Sequence, residues 1–379
     1  MILPSAAEAD RHTRDSAITL ACTLPADTVL YLLLPLYAGT FGVTLPEAGI
    51  LLAANRLVRI AGYGWVARFY SERGPRAACM LAAAAAALAS FGYAALSGVW
   101  ALLVARLLWG LAFAAMNIAV QALPTALADG AARRSGWSRS IVAAGPMIGL
   151  LGGAVLAEWA GPRIVFVVLG FVSLPAILFA SRLPTLPEGE AKAGPRFGLP
   201  NALEVWAFIF GLTMDGLFVI GLSVLASAAL PEGATLAAGA ALALRYAAEI
   251  FLSPAGGWLA GRVGARRALV GLSLATAGGL LLLATGGVLL WAGALATVLL
   301  RAVIQPLPGP VVAAENPGAA RVPALARQST WRDIGAGVGP LLAGILLPIA
   351  PALLIYGGGA ALLAAASLGI RRPAAPLQP

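Results

Sequence analysis

Histidine occurs once in these 379 residues and cysteine twice, and charged side chains make up only 11% of the chain. A soluble domain carries about a quarter charged residues. Each scarcity excludes something. Cys22 and Cys79 cannot build a disulfide framework and read as packing residues. His12, alone in the N-terminal tail, leaves no imidazole for a catalytic triad or a zinc site. There is no His-Glu-x-x-His, no Gly-x-Ser-x-Gly and no phosphate-cradling glycine loop. No catalytic residue, metal or cofactor is therefore assigned, and the chain does not read as an enzyme. No soluble stretch is long enough for a nucleotide-hydrolysing domain, which excludes an ATP-driven pump. The N-terminal tail lacks a secretory cleavage pattern, so the first apolar run is expected to stay in the protein.

What is present is hydrophobic. Sixty per cent of residues are apolar and the mean hydropathy is +0.89. Runs such as 77–96 and 353–370 approach the roughly 20 apolar residues that cross a bilayer. The short alternating segments of a transmembrane β-barrel are absent. The pattern predicts an all-α membrane protein with twelve spans, approximately 16–39, 45–68, 77–96, 98–122, 138–160, 163–182, 201–228, 235–260, 268–286, 288–313, 332–350 and 352–370. With the N-terminus inside, 19 of the 25 Lys and Arg fall in cytoplasmic segments. The net charge of +9 is then a topology signal. Both termini are expected in the cytoplasm of a multi-pass protein of the plasma (inner) membrane. A nucleic-acid partner would need a soluble basic face, and none is written.

The chain also repeats itself. Trp137 and Trp331 are 194 positions apart, and Arg133/Arg327, Ser135/Ser329, Gly145/Gly339 and Pro146/Pro340 share that offset. Trp65/Trp258, Arg106/Arg301 and Asp27/Asp215 recur at 193, 195 and 188. Internal self-similarity of this kind marks a duplicated architecture. Two six-helix halves, 1–184 and 201–379, are expected around a Pro-, Gly- and charge-rich cytoplasmic linker, 185–200.

Four segments carry a resemblance. "GGWLAGRVGARRAL" (256–269) is similar to the loop signature Gly-x-Leu-Ala-Asp-Arg-x-Gly-Arg-Arg of the major facilitator superfamily. Gly257, Gly261, Arg262, Gly264, Arg266 and Arg267 are its matching positions. "GWVARFYSERGPRA" (64–77) is a looser copy, with Gly64, Arg73, Gly74 and Arg76. "RLLWGLAFA" (106–114) resembles that family's Arg-x-x-x-Gly motif, and "GPMIGLLGG" (145–153) its Gly-Pro antiporter signature. The family's loop acid is replaced by Arg68 in one half and Gly261 in the other. Its usual latch must therefore be built differently, with Glu72 and Asp333 the acids available.

The resemblance implies two pseudo-symmetric six-helix bundles that rock about a central site. It also implies a monomeric secondary transporter exchanging a small molecule for protons across the bilayer, in the efflux direction. Proton-coupled uptake of an organic anion is the alternative, with a membrane enzyme or sensor a distant third. Spans 5 and 11 are expected to face each other across the halves. Glycine allows close approach of helices in lipid, and proline weakens the local ladder. Gly145, Pro146, Gly149, Gly337, Gly339 and Pro340 are thus gating candidates, against a reading as ordinary tight packing.

Ionisable groups inside a bilayer cost about 2.5–3.5 kcal/mol each on insertion scales and are functional candidates by default. Asp27 and Asp215 are expected to carry protons, with Arg106 as a partner; a permanent structural pair is the alternative. Arg56, Asn117, Gln121, Arg245, Glu249, Arg301 and Gln305 are expected to line the substrate cavity. Arg245 and Glu249, four residues apart, could instead pair with each other. Arg59 fits either the cavity or the loop cluster. Trp109 and Trp206 suit stacking on a flat substrate or simple packing. Five arginines against three acids within the spans favour an anionic or zwitterionic substrate, because the guanidinium fork matches an oxyanion.

Overall fold

The computed structural model describes residues 4–185, 198–218 and 234–371, with side chains in the last stretch from residue 244 onward. Every regular element among the described residues is helical. Ser5 and Glu8 form a capping box that starts α1 (Ala6–Leu36), which contains Pro25 and Pro35. Thr44 and Glu47 form a second box at the start of α2 (Leu45–Ala95).

α2 takes in two expected spans and the loop between them. Its helical geometry breaks at Gly74, whose φ of 83° is left-handed and whose successor is Pro75. Two contacts fix the directions. Gly98, just past α2, donates its N–H to Phe41 O at 2.9 Å, so the two ends of α2 meet on one side. Arg76, beside the break, donates its N–H to Pro184 O at 3.2 Å on the other side. The chain therefore reverses at Gly74.

α3 (Val99–Ala122), α4 (Ala131–Ala160), α5 (Pro162–Ser173) and α6 (Pro175–Ser181) follow, the expected sixth span being split at Pro175. α7 (Ala202–Phe210) runs into a π-helical turn, Gly211–Leu217. α8 (Ala234–Val263), α9 (Ala265–Ala284), α10 (Gly287–Ile304), α11 (Pro308–Glu315), α12 (Arg321–Leu346) and α13 (Ala352–Gly369) complete the chain. The expected tenth span is broken at its proline cluster.

Eight helices among the described residues are long and apolar enough to cross a membrane. α2 counts once there although it folds back on itself. α12 is not among the eight: Arg327, Arg332 and Asp333 sit inside it. Much of the seventh span, most of linker 185–200 and the Glu232 loop lie outside the described residues. Ile148, Leu151, Val155 and Trp159 on α4 are exposed, Trp159 at 92%, as suits a helix face in lipid.

Within the first set of helices α4 packs on α1, and within the second α12 packs on α7 and its π turn. Between the sets, α4 packs on α8 and α12 on α2. Asp10, Arg76, Arg133 and Leu183 gather at one end, through Arg133–Asp10 at 2.9 Å and Arg76 to Leu183 O at 2.8 Å. That end is called the basic end below.

Candidate functional site

Asp27 stands two residues after Pro25 in α1. Pro25 has no N–H, so the helix ladder is one bond short beside the acid. Arg106 of α3, fully buried, donates to Asp27 Oδ1 at 2.5 Å. Asn55 of α2 donates to the same oxygen at 3.1 Å. Arg106 also reaches Leu51 O at 3.1 Å, and its guanidinium lies 5.3 Å above the Tyr31 ring. A lone guanidinium could not rest there; the carboxylate, the carbonyl and the ring together compensate its desolvation.

Asp215 is the counterpart, held in the π turn after α7. Such turns leave the ladder out of register and recur at functional sites. Three arginines converge on it: Arg301 at 2.8 Å, Arg332 at 2.9 Å and Arg245 at 3.4 Å. Glu249 pairs with Arg301, and with Arg245 at 3.8 Å. Gln305 Oε1 accepts from Arg332 at 3.0 Å. The repeat thus gave two acids unequal company, one arginine for Asp27 and three for Asp215.

The two sets of helices are fastened from the basic end to about mid-height. Arg59 of α2 makes a two-pronged pair with Asp333 of α12, at 2.9 and 3.0 Å, with Phe113 stacked 4.5 Å from its guanidinium carbon. Asn117 and Gln121 donate to Ser329 at 3.4 and 3.1 Å, and Arg321 to Thr125 O at 3.0 Å. Two further bonds also end on backbone carbonyls. Ser140 donates to Ile250 O at 2.5 Å, and Arg56 to Ala336 O. Both acceptors lie four residues before a proline, Pro254 and Pro340. A proline lacks the N–H that would otherwise bond that carbonyl. The prolines therefore expose, inside the helices, two acceptors that the opposite set uses.

Gly145, Gly149 and Gly339 pack within their own sets. Gly145 and Gly339 do not touch across the sets. Gly145 and Gly149 lie on Ala21 and Pro25 of α1, and Gly339 on Leu212 and Gly216 of the π turn. Gly337 faces the other set: a Cβ added there would lie 3.6 Å from the Arg56 side chain. The glycines that allow backbone contact between sets are Gly136, whose added Cβ would lie 2.7 Å from Ser253 O, and Gly257, which abuts Ala132. Asn117 and Gln121 are buried in the fastening. Arg139 and Arg332, two of the 19 residues counted above in cytoplasmic segments, sit in the seam, because α4 begins at Ala131 and α12 at Arg321, well ahead of the apolar runs. Trp109 and Trp206 are buried packing residues, Trp206 bonding Ser273 at 3.1 Å.

The loop-motif residues stay at the basic end. Gly74 makes the turn described above and Gly264 another, with φ 91°. Arg262 stacks 4.0 Å from the Trp258 ring centroid, and Arg266 bonds Glu315 and Ile370 O. Gly64, Arg73, Gly261 and Arg267 are exposed. Arg68 pairs with Glu72 on its own helix at 2.7 Å, leaving Asp333 as the acid that latches the two sets.

The family model described as Major Facilitator Superfamily matches residues 16–234. The chain belongs to the major facilitator superfamily. Solved structures agree over almost the whole length. The human organic anion transporter MFSD10 (TETRAN) superposes with a TM-score of 0.79 at 17% identity, covering 96% of this chain and 99% of that one. A bacterial homologue of the iron transporter ferroportin in an outward-facing state gives 0.75 at 12%, covering 95% and 98%. The proton:xylose symporter XylE gives 0.76 at 14%, covering 96% and 95%. No curated protein matches the chain in sequence. Identities this low establish the fold of a major facilitator transporter and leave its cargo to the chemistry of the site.

Proposed function

We propose that this chain is a proton-coupled secondary transporter of a small organic anion, working by alternating access as a monomer. The carrying observation is the charge of the seam. Among the described residues, Arg56, Arg59, Arg106, Arg139, Arg245, Arg301 and Arg332 stand against four acids, Asp27, Asp215, Glu249 and Asp333. Such a surplus inside a membrane favours an anion in the pathway and disfavours a cation. The organic anion transporter among the structural neighbours fits the same reading. With the basic end in the cytoplasm, the fastening closes the inner side and the conformation faces outward.

Asp27 is the assigned proton site. Asp215 is held by three arginines, whereas Asp27 has one arginine and one amide as partners. A proton taken up there adds one positive charge to the central region. At about 10 Å and an effective dielectric of about 20, that attracts an anion by about 1.7 kcal/mol, roughly a seventeenfold gain in affinity. Proton and anion would then load together, as in a symporter. The antiport reading draws support from the Gly145–Gly153 signature, and it requires proton and substrate to compete.

Proteoliposomes given a panel of carboxylates, sulfonates and organic phosphates under imposed pH gradients test this. Accumulation driven by an inward proton gradient is expected; accumulation against an outward anion gradient only when protons move oppositely would establish antiport. Transport restricted to cations or neutral sugars would overturn the anion assignment.

A further inference from the structure

Three arginines hold Asp215, and they hold it unequally. Arg301 reaches Oδ1 through Nε at 3.2 Å and Nη2 at 2.8 Å, pairs with Glu249 as well, and is 4% exposed. Arg332 reaches Oδ2 through Nε at 3.0 Å and Nη2 at 2.9 Å and gives a further donor to Gln305. Arg245 supplies a single contact, Nη2 to Oδ1 at 3.4 Å, the longest of these. Its Nε lies 3.8 Å from Glu249 Oε1, beyond hydrogen-bond reach, and is buried with no acceptor among the described residues. A quarter of its side chain is exposed. Without Arg245 both acids would keep a partner, Asp215 with Arg301 and Arg332 and Glu249 with Arg301.

Arg245 also stands clear of the fastening. α8 runs toward the basic end, and its carbonyl bond to the first set is at Ile250. Arg245 is five residues farther from that end, a rise of about 7.5 Å. α12 starts from the basic end at Arg321, and its Ala336 O takes the Arg56 bond. Gly339, a turn beyond, packs on Leu212 and Gly216, which flank Asp215. Asp215 and Arg245 therefore lie above both bonds, on the side away from the closed end.

We infer that Arg245 receives the oxyanion head group of the transported molecule, a carboxylate, sulfonate or phosphate, and leaves Asp215 to do so. This rests on the anion reading above and names the residue that meets the charge. The guanidinium fork takes two oxygens side by side, so one long contact is exchanged for two short charge-assisted bonds. Nε, which now has no acceptor, gains one. Asp215 is not stranded by the exchange, because Arg301 and Arg332 remain on it. Arg301 and Arg332 are the fixed pair that makes the third arginine available.

The test uses the full chain in lipid nanodiscs at constant ionic strength. Thermal stabilisation is titrated with benzoate, benzenesulfonate and phenyl phosphate, with chloride as reference. At least one probe is expected to stabilise the wild type saturably. R245Q should weaken that midpoint at least about tenfold, which is about 1.4 kcal/mol. R245K should fall between wild type and R245Q, because it keeps the charge and loses the fork. Both variants should retain the wild-type melting profile in chloride; if R245Q does not, R245K carries the comparison. Benzenesulfonate has no carboxylate, so difference infrared spectra of its binding report the carboxylates of the protein. A carboxylate band change that disappears in D215N and in R245Q is expected. Saturable binding without such a band would overturn the exchange. Saturable binding unchanged in R245Q and R245K would leave the anion reading standing and overturn this site. Saturable binding by none of the three anions, with stabilisation by cations or sugars instead, would overturn both.

Discussion

Replacing Pro340 with alanine should loosen the closed basic end while strengthening the helix that carries it. The alanine N–H would reach Ala336 O, the carbonyl that Arg56 now uses from the opposite set. Removing an interior proline favours α12 by up to about 3 kcal/mol. The interhelical bond should move the other way. A hydrogen bond with a charged partner contributes about 1.5–3 kcal/mol net. A carbonyl has two lone pairs, so sharing weakens that bond without abolishing it, and a loss of about 1 kcal/mol is expected. That shifts the balance between closed and open basic ends roughly fivefold. Spin labels at Arg68 on α2 and Val263 on α8, both exposed, would report the separation by pulsed dipolar spectroscopy. Pro254→Ala should act similarly through Ile250 O and Ser140. Pro146→Ala is the control: the carbonyl that Pro146 leaves unpaired, Val142 O, accepts no side-chain bond from the other set among the described residues. An unchanged distance distribution in Pro340→Ala and Pro254→Ala, or an equal shift in Pro146→Ala, would refute the idea that prolines expose docking acceptors.

Asp27→Asn should fold and bind anion but lose acceleration by a pH gradient; retained gradient-driven accumulation in liposomes would remove Asp27 as the proton site. Arg59→Gln or Asp333→Asn strands a partner of a buried pair, which costs about 3–5 kcal/mol, and should open the basic end further than Pro340→Ala. The double variant should be milder than either single one, and an additive double would show the pair is not coupled. Gly136→Ala presses a methyl group onto Ser253 O across the sets and should hinder closure with normal expression. Gly145→Ala presses on Ala21 O within one set and should lower expression instead. Thermal melts together with spin-label distances separate these two outcomes.

The sequence by itself determined the solvent and the helical class, because burial in lipid demands long apolar runs. The loop glycines at 74 and 264 were legible as well: a left-handed turn needs a residue without a Cβ. Asp27 and Asp215 could be singled out from the cost of charge in a bilayer alone. What the sequence did not hold was partnership. Arg106 and Arg301 occupy equivalent positions, yet one meets a single acid and the other two, because Arg332 and Arg245 converge only in the second set. Arg139 reads as a loop arginine until α4 is seen to begin at Ala131 and carry it inward. The repeated glycines promised a seam, but which neighbour a bare backbone face meets depends on how helices rotate about their axes. Packing turned Gly145 and Gly339 toward their own bundles and left Gly136 and Gly257 to face across. Tertiary structure alone decided that. Helical periodicity groups residues on a face, and only three-dimensional packing says what the face touches.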